Sequence, residues 1–105
     1  MKKTSDPSYC ADQMKVLSDV TRLWVLEELL AGPKNVKELN ASIKIEQSLL
    51  SHHLKVLRES GLVRATRDGK AVRYDIAPEA RVETGGNAIN LGCCRISFDG
   101  LPRRK

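Results

Sequence analysis

The sequence predicts a mainly α-helical domain with a small β-hairpin, and three observations point to it. Apolar residues recur every three or four positions early in the chain, at Leu17, Val20, Leu23, Leu26 and Leu30. A second periodic stretch, 47–60, is stopped by Gly61. Two strand-like runs within LVRATRDGKAVRYDI then flank Asp68-Gly69, a strong hairpin signal.

Residues 1–9 read as a polar lead-in, and the helical pattern runs from Ala11 to Ala31. Ser18-Asp19 interrupt it, and both are good N-caps, so a short helix, a break and a second helix ending at Gly32-Pro33 are expected. Asn35 and Glu38 have the spacing of a capping box and open a short helix carrying Leu39 and Ile43. A tight turn at 44–46 leads into the helix Gln47 to Ser60, with Ile45 and Leu50 placed as a hydrophobic staple. Helix, turn, helix and hairpin, in that order, form a winged helix-turn-helix.

Closing the hairpin over a two-residue Asp-Gly turn sets Arg67 opposite Lys70, Ala65 opposite Val72, Val63 opposite Tyr74 and Arg64 opposite Arg73. Facing like charges are destabilising unless a polyanion neutralises them. Beyond Pro78 the pattern weakens, and Gly85-Gly86 break any helix begun at Glu79. Ile89, Leu91, Cys93, Ile96 and Phe98 partly alternate, so an extended C-terminal tail is expected from about 79. The expected organisation is a single DNA-binding domain over 1–105 that includes this tail.

The chain has 105 residues, 41% of them hydrophobic, which suits one globular domain and not a disordered chain. The net charge of +5 suits a polyanionic partner. No apolar stretch approaches the roughly 20 residues that span a bilayer, and the lysine-led N-terminus lacks the apolar run of a signal peptide. The expected compartment is the cytoplasm, with Cys10, Cys93 and Cys94 as reduced thiols and no membrane partner. An enzyme is not expected: there is no Cys-x-x-Cys and no cluster of catalytic acids and bases.

At about 100° per residue, Leu50, Leu54 and Leu57 share the inner face of the second helix. Ser48, His52 and Lys55 lie opposite, with Gln47 and Ser51 on the leading edge. These short, hydrogen-bonding or cationic side chains suit base edges and phosphates in the major groove of double-stranded DNA. His53 falls on the flank of the inner face and reads as a hydrogen-bonded packing residue in preference to a metal ligand. In the hairpin, Arg64, Arg67, Lys70 and Arg73 are the expected phosphate contacts.

The stretches LSDVTRLWVLEELL and NVKELNASIKIEQSLLSHHLKVLRESGLVRATRDGKAVRYDI resemble the ArsR/SmtB family of dimeric repressors over roughly residues 14–77. The most specific part is QSLLSHHLKVLRESGLV. The resemblance implies a homodimer on a two-fold operator, released when an effector binds, with Gln47, Ser48, Ser51 and His52 facing DNA. Known effector sites of the family are missing. Where arsenic and cadmium sensors of one type carry a Cys-x-Cys box, this chain has Val36-Lys37-Glu38-Leu39-Asn40. Where zinc sensors place Asp and His ligands on a long C-terminal helix, this region is short, broken by glycines and free of histidine. Glu46 stands where a serine cap is common.

What remains is Cys93-Cys94, within LGCCRISF, and Cys10. The LGCCRISF stretch looks like the arsenic-responsive members whose sensing cysteines lie near the C-terminus. The expected inducer is trivalent arsenic or antimony, a soft ion that takes three thiolates. Cys93 and Cys94 are then the ligands, with Cys10 a third from the same chain or its partner; Arg95 next door favours thiolate. Adjacent cysteines in a regular strand face opposite ways, so joint ligation needs a twist, which Gly92 permits. Two alternatives stay open: a repressor that senses thiol oxidation or persulfides with the same cysteines, and a vicinal pair that is simply two small buried hydrophobes.

Overall fold

In the computed structural model, which describes residues 7–83 and 85–99, the order of elements is helix, helix, short strand, helix, helix, hairpin, hairpin. Helix α1 spans Pro7–Val16 and α2 spans Val20–Ala31. The sequence pattern placed the first start at Ala11; Pro7 moves it forward, because a proline at the first helical position loses no hydrogen bond and has its φ preset. Cys10 therefore lies inside α1, not ahead of it. The break falls where expected, and the Asp19 carboxylate caps α2 by accepting from the backbone N–H groups of Thr21 and Arg22 at 2.8 and 3.3 Å.

Helix α3 spans Val36–Ile43 with both halves of the Asn35–Glu38 capping box formed, at 2.8 and 2.9 Å. Helix α4 spans Gln47–Glu59. It ends in the reciprocal pair of bonds of a Schellman motif, Gly61 N–H to Arg58 O and Leu62 N–H to Leu57 O, both 3.1 Å. Leu57 and Leu62, which the motif brings together, are both buried.

Strands β1 (Lys34–Asn35), β2 (Val63–Asp68) and β3 (Ala71–Ile76) form an antiparallel sheet in the order β1-β3-β2. The register of the wing differs from the sequence expectation by two residues. Asp68 pairs with Ala71, so the corner is Gly69-Lys70, with Gly69 at φ +65°. An Asp-Gly corner of the I′ type would force Asp68 to positive φ, whereas a glycine-first corner asks this only of Gly69. The shift keeps every side chain on its expected face but changes its partner. Arg64 now faces Asp75, Thr66 faces Arg73 and Arg67 faces Val72. The facing arginines expected from the sequence do not occur.

The segment expected to be an extended tail is folded. A single turn of 3-10 helix, Pro78–Ala80, leads to β4 (Ala88–Asn90) and β5 (Arg95–Ser97), which pair as a second hairpin. Ile89, Leu91 and Phe98 are buried in the same core as Leu26, Leu50 and Ile76. The alternation noted in the sequence was that of a hairpin with one buried face. Among the described residues no helix is long and apolar enough to cross a membrane.

A candidate nucleic-acid interface and a three-cysteine site

The faces of α4 separate as its periodicity requires. Leu50, Leu54 and Leu57 are fully buried, while Gln47, Ser48, Ser51, His52 and Lys55 are exposed. All five sequence candidates on this helix therefore share a solvent-facing surface. Leu49, 47% exposed, sits at the edge of this surface, between His52 and the buried His53. The N-terminus of α4 is capped by Glu46, whose carboxylate accepts from Ser48 N–H at 2.7 Å and from the Ser48 hydroxyl. These bonds hold the Glu46 carboxyl below its ordinary pKa and keep an anion at the leading edge of the helix. The Ser48 hydroxyl thus spends its proton on Glu46 and retains acceptor capacity only.

In the wing, Arg64 lies 3.7 Å from Asp75, which Arg81 also approaches at 2.9 Å. Arg73 donates to Asp68 at 3.3 Å and lies 3.9 Å from Glu38. Among the described residues, Arg67 and Lys70 have no carboxylate partner, and both are exposed. The four cations are thus of two kinds, two prepaired and two bare. Sequence reasoning missed this because the partners depend on the hairpin register. Lys37 is a further exposed cation beside α4, in a groove between α3 and α4 that Asn40 and Gln47 also line. Its position on the outer face of α3 was the available signal.

His53 is 6% exposed and hydrogen-bonded, as its position on the flank of α4 suggested. Its Nδ1 accepts from Arg22 Nε at 3.1 Å, which leaves the ring proton on Nε2, 4.0 Å from the Asp19 carboxylate. Burial pushes its pKa down, the Asp19 charge works against this, and Arg22 and His52 add to it. The Arg22 guanidinium also donates to the carbonyl of Val16, at the end of α1, at 2.9 Å. Arg22 carried no sequence signal beyond standing three residues after the Asp19 cap.

The three cysteines converge. Their sulfurs all lie within 4.8 Å of one another, and all three residues are half-buried. Cys10 and Cys93 are joined as a disulfide, with Cα atoms 5.8 Å apart, and Cys94 is a free thiol 3.9 Å from Cys93 Sγ. The expectation of three reduced thiols is corrected on this point. Cytoplasmic context argued for thiols, but α1 and the second hairpin bring two of them into bonding distance. Cys93 occupies the second corner of the β4–β5 turn, after Gly92 at φ +91°. Here the backbone leaves the regular pleat, so the neighbouring side chains of Cys93 and Cys94 need not diverge. Cys10 comes from the same chain.

Comparison with known proteins follows the same lines. Residues 19–65 match the bacterial regulatory proteins of the arsR family. The chain is 36% identical to a probable mercury resistance operon repressor of Streptomyces lividans over 106 aligned residues, covering 92% of this chain and 85% of that one. The fold is similar to the homodimeric winged helix-turn-helix DNA-binding domain of Mb0332 from Mycobacterium bovis, a possible ArsR-family transcriptional regulator. The TM-score there is 0.64 with 30% identity, over 69% of this chain and 67% of that one. It is also similar to a possible transcriptional regulator for arsenical resistance, with a TM-score of 0.60 and 36% identity over 64% of this chain and 70% of that one.

Proposed function

This chain belongs to the ArsR family of bacterial regulatory proteins and is a transcriptional repressor of that kind, and from this premise we propose that trivalent arsenic or antimony releases it from operator DNA by binding Cys10, Cys93 and Cys94. The observation that carries the proposal is the convergence of three sulfurs within 4.8 Å. Three soft thiolates are the donor set such an ion takes. Relatives linked by name to mercury and arsenical resistance support a thiophilic effector. The Cys10–Cys93 disulfide must be reduced first, because a sulfur bonded to sulfur has no thiolate to donate.

The repressor works as a cytoplasmic homodimer on a two-fold operator, as the homodimeric relative suggests. Gln47, Ser48, Ser51, His52 and Lys55 face the major groove, and Arg64, Arg67, Lys70 and Arg73 face phosphates. Ligation gathers α1 and the second hairpin around one ion and alters the spacing of the two reading heads. To empty the operator the effector must favour the unbound arrangement by a few kcal/mol.

A Cys93→Ser, Cys94→Ser double variant tests the effector site. It is expected to bind operator normally and to stay bound in arsenite; release by arsenite would place the site elsewhere. His52→Ala tests the interface, with a loss of about 1–3 kcal/mol in operator discrimination and an unchanged melting temperature.

A second reading rests on the disulfide itself. Cys10 and Cys93 thiols give up two electrons and two protons to a peroxide, which leaves as water, and the new bond ties α1 to the hairpin. Peroxide would then release the reduced repressor without any metalloid, and a Cys10→Ser variant would not respond.

A further inference from the structure

Helix α1 carries Cys10 but none of the expected DNA contacts, so the cysteine site needs a route to α4. Gln13 and Arg22 both reach across the gap. The Gln13 amide, in a residue 7% exposed, reaches the Ser60 carbonyl at the C-terminal end of α4 at 3.5 Å, and its Oε1 is buried without a partner. That contact is at the limit of hydrogen-bond distance and leaves an orphan acceptor. Arg22 makes the better joint. One guanidinium nitrogen donates to Val16 O at 2.9 Å, and Nε donates to His53 Nδ1 at 3.1 Å.

We propose that Arg22 is a positioning residue for DNA recognition: it fastens the end of the cysteine-bearing helix to His53 of the recognition helix, so that the seating of α4 depends on where α1 lies. The guanidinium suits this task because its donors are fixed in one plane, so it cannot follow one partner without turning away from the other. The Val16 carbonyl is one of the last in α1, a group that lacks a helical partner and favours a cation. Asp19, which caps the same turn of α2, holds the opposite edge of the imidazole electrostatically at 4.0 Å. His53 is buried and stands next to the exposed His52 on the same helix, so a displacement of α4 at His53 moves its outer face as well. Cys10 and Val16 are six positions apart, about 9 Å along the helix axis. A rigid shift of α1 of about 1 Å along the bond from Arg22 to Val16 takes it beyond hydrogen-bonding range.

The inference rests on the thiol site for what moves α1, but the joint can be tested without any effector. The experiment is a double-variant cycle of Arg22→Ala and His53→Ala, read by operator anisotropy, with melting temperature and non-specific DNA binding as controls on folding. Each single change is expected to weaken operator binding about tenfold, the size of one lost hydrogen bond to a charged group. The double variant is expected to be no weaker than the worse single. His53→Asn, whose side-chain oxygen can accept in place of Nδ1, is expected to restore most of the affinity, and His53→Gln is not. Losses that multiply in the cycle, or equal behaviour of the Asn and Gln variants, overturn the joint. In a second arm, reduced Arg22→Ala is expected to bind arsenite, seen by intact mass, with release from operator reduced to about twofold or less. Release as large as in wild type overturns transmission through Arg22. A wild type that binds no arsenite overturns the proposed effector, while the cycle still decides on the joint.

Discussion

His52 and His53 stand side by side, ring centres 5.6 Å apart, in opposite environments: one faces solvent and the other the core. Acidification acts on His53 through a bond it must lose, since protonated Nδ1 cannot accept from Arg22. Its folded pKa lies below the ordinary 6.5, first because of burial. The unfolded chain therefore binds more protons in the window between that lowered value and 6.5. Stability contributed by neutral His53 is complete above 6.5 and is lost as pH falls through the window. Burial sets most of its width, and the groups that face the ring adjust it: the Asp19 cap of α2 narrows it, while Arg22 on α2 and His52 on α4 widen it. A melting temperature that drops between pH 7 and 5 in wild type, and is flat there in His53→Asn, is the expected result; an equal drop in both would assign the effect to other groups. The wing cations divide by the same reasoning about partners. Arg67→Ala or Lys70→Ala should reduce the salt slope of DNA binding by about one unit each, because neither side chain leaves a carboxylate to meet phosphate. Arg64→Ala and Arg73→Ala should cost less, since each must first give up an acid, at 3.7 and 3.3 Å. Equal slopes for all four, from anisotropy titrations across salt, would sink this ranking.

Helix α4 presents its N-terminus, where backbone N–H groups favour anions, yet Glu46 already occupies that end. A serine there would keep a cap and remove the negative charge from the DNA side. Glu46→Ser is therefore expected to tighten operator binding several-fold at low salt, with little change in melting temperature above pH 5; weaker binding would mean the carboxylate itself contacts the operator. That helix was legible in the sequence because three independent signals agreed: the staple of Ile45 and Leu50, the Leu50-Leu54-Leu57 stripe and the Gly61 stop. The Asn35 capping box and the Asp19 cap were legible for the same reason, being short-range side-chain bonds to a backbone nearby. The wing was legible as a hairpin but not in its pairing. Asp68-Gly69 marks a corner of either register, and the choice is made by the φ that Asp68 would have to adopt and by the Arg64–Asp75 pair. Strand β1 left no trace, being two residues long and paired only through β3. The second hairpin showed its alternation without its turn, because Gly92-Cys93 does not advertise a corner as Asn-Gly would. Convergence of Cys10 with Cys93 is a long-range event that no local pattern encodes.

That long-range event makes the two ends of the chain one mechanical and chemical unit. Cys10 and Cys93 are 83 positions apart, and closing a loop of that length removes about 4–5 kcal/mol of unfolded-state entropy as an upper bound. The oxidised protein should therefore melt higher than the reduced one, by up to about 20 °C, and Cys10→Ser should abolish the difference. The bond also decides what the site can bind. With Cys10 and Cys93 joined, Cys94 is left as a lone thiol, and one thiolate cannot hold a trivalent ion against water and competing thiols. With the bond reduced, three donors would lie on two separate elements, α1 and the β4–β5 turn, and the proposed ion would take over the link between them. On the proposed function, oxidation and metalloid binding would thus be mutually exclusive at one site, and each would join α1 to the second hairpin. Intact mass spectrometry separates them. Arsenite is expected to give no adduct on the oxidised chain, one arsenic per chain after reduction, and protection of all three cysteines from alkylation in the adduct. An adduct of equal stoichiometry on oxidised protein, or one that leaves Cys10 open to alkylation, would show that the ion is held without the sulfur of α1 and that the two ends are not coupled through it.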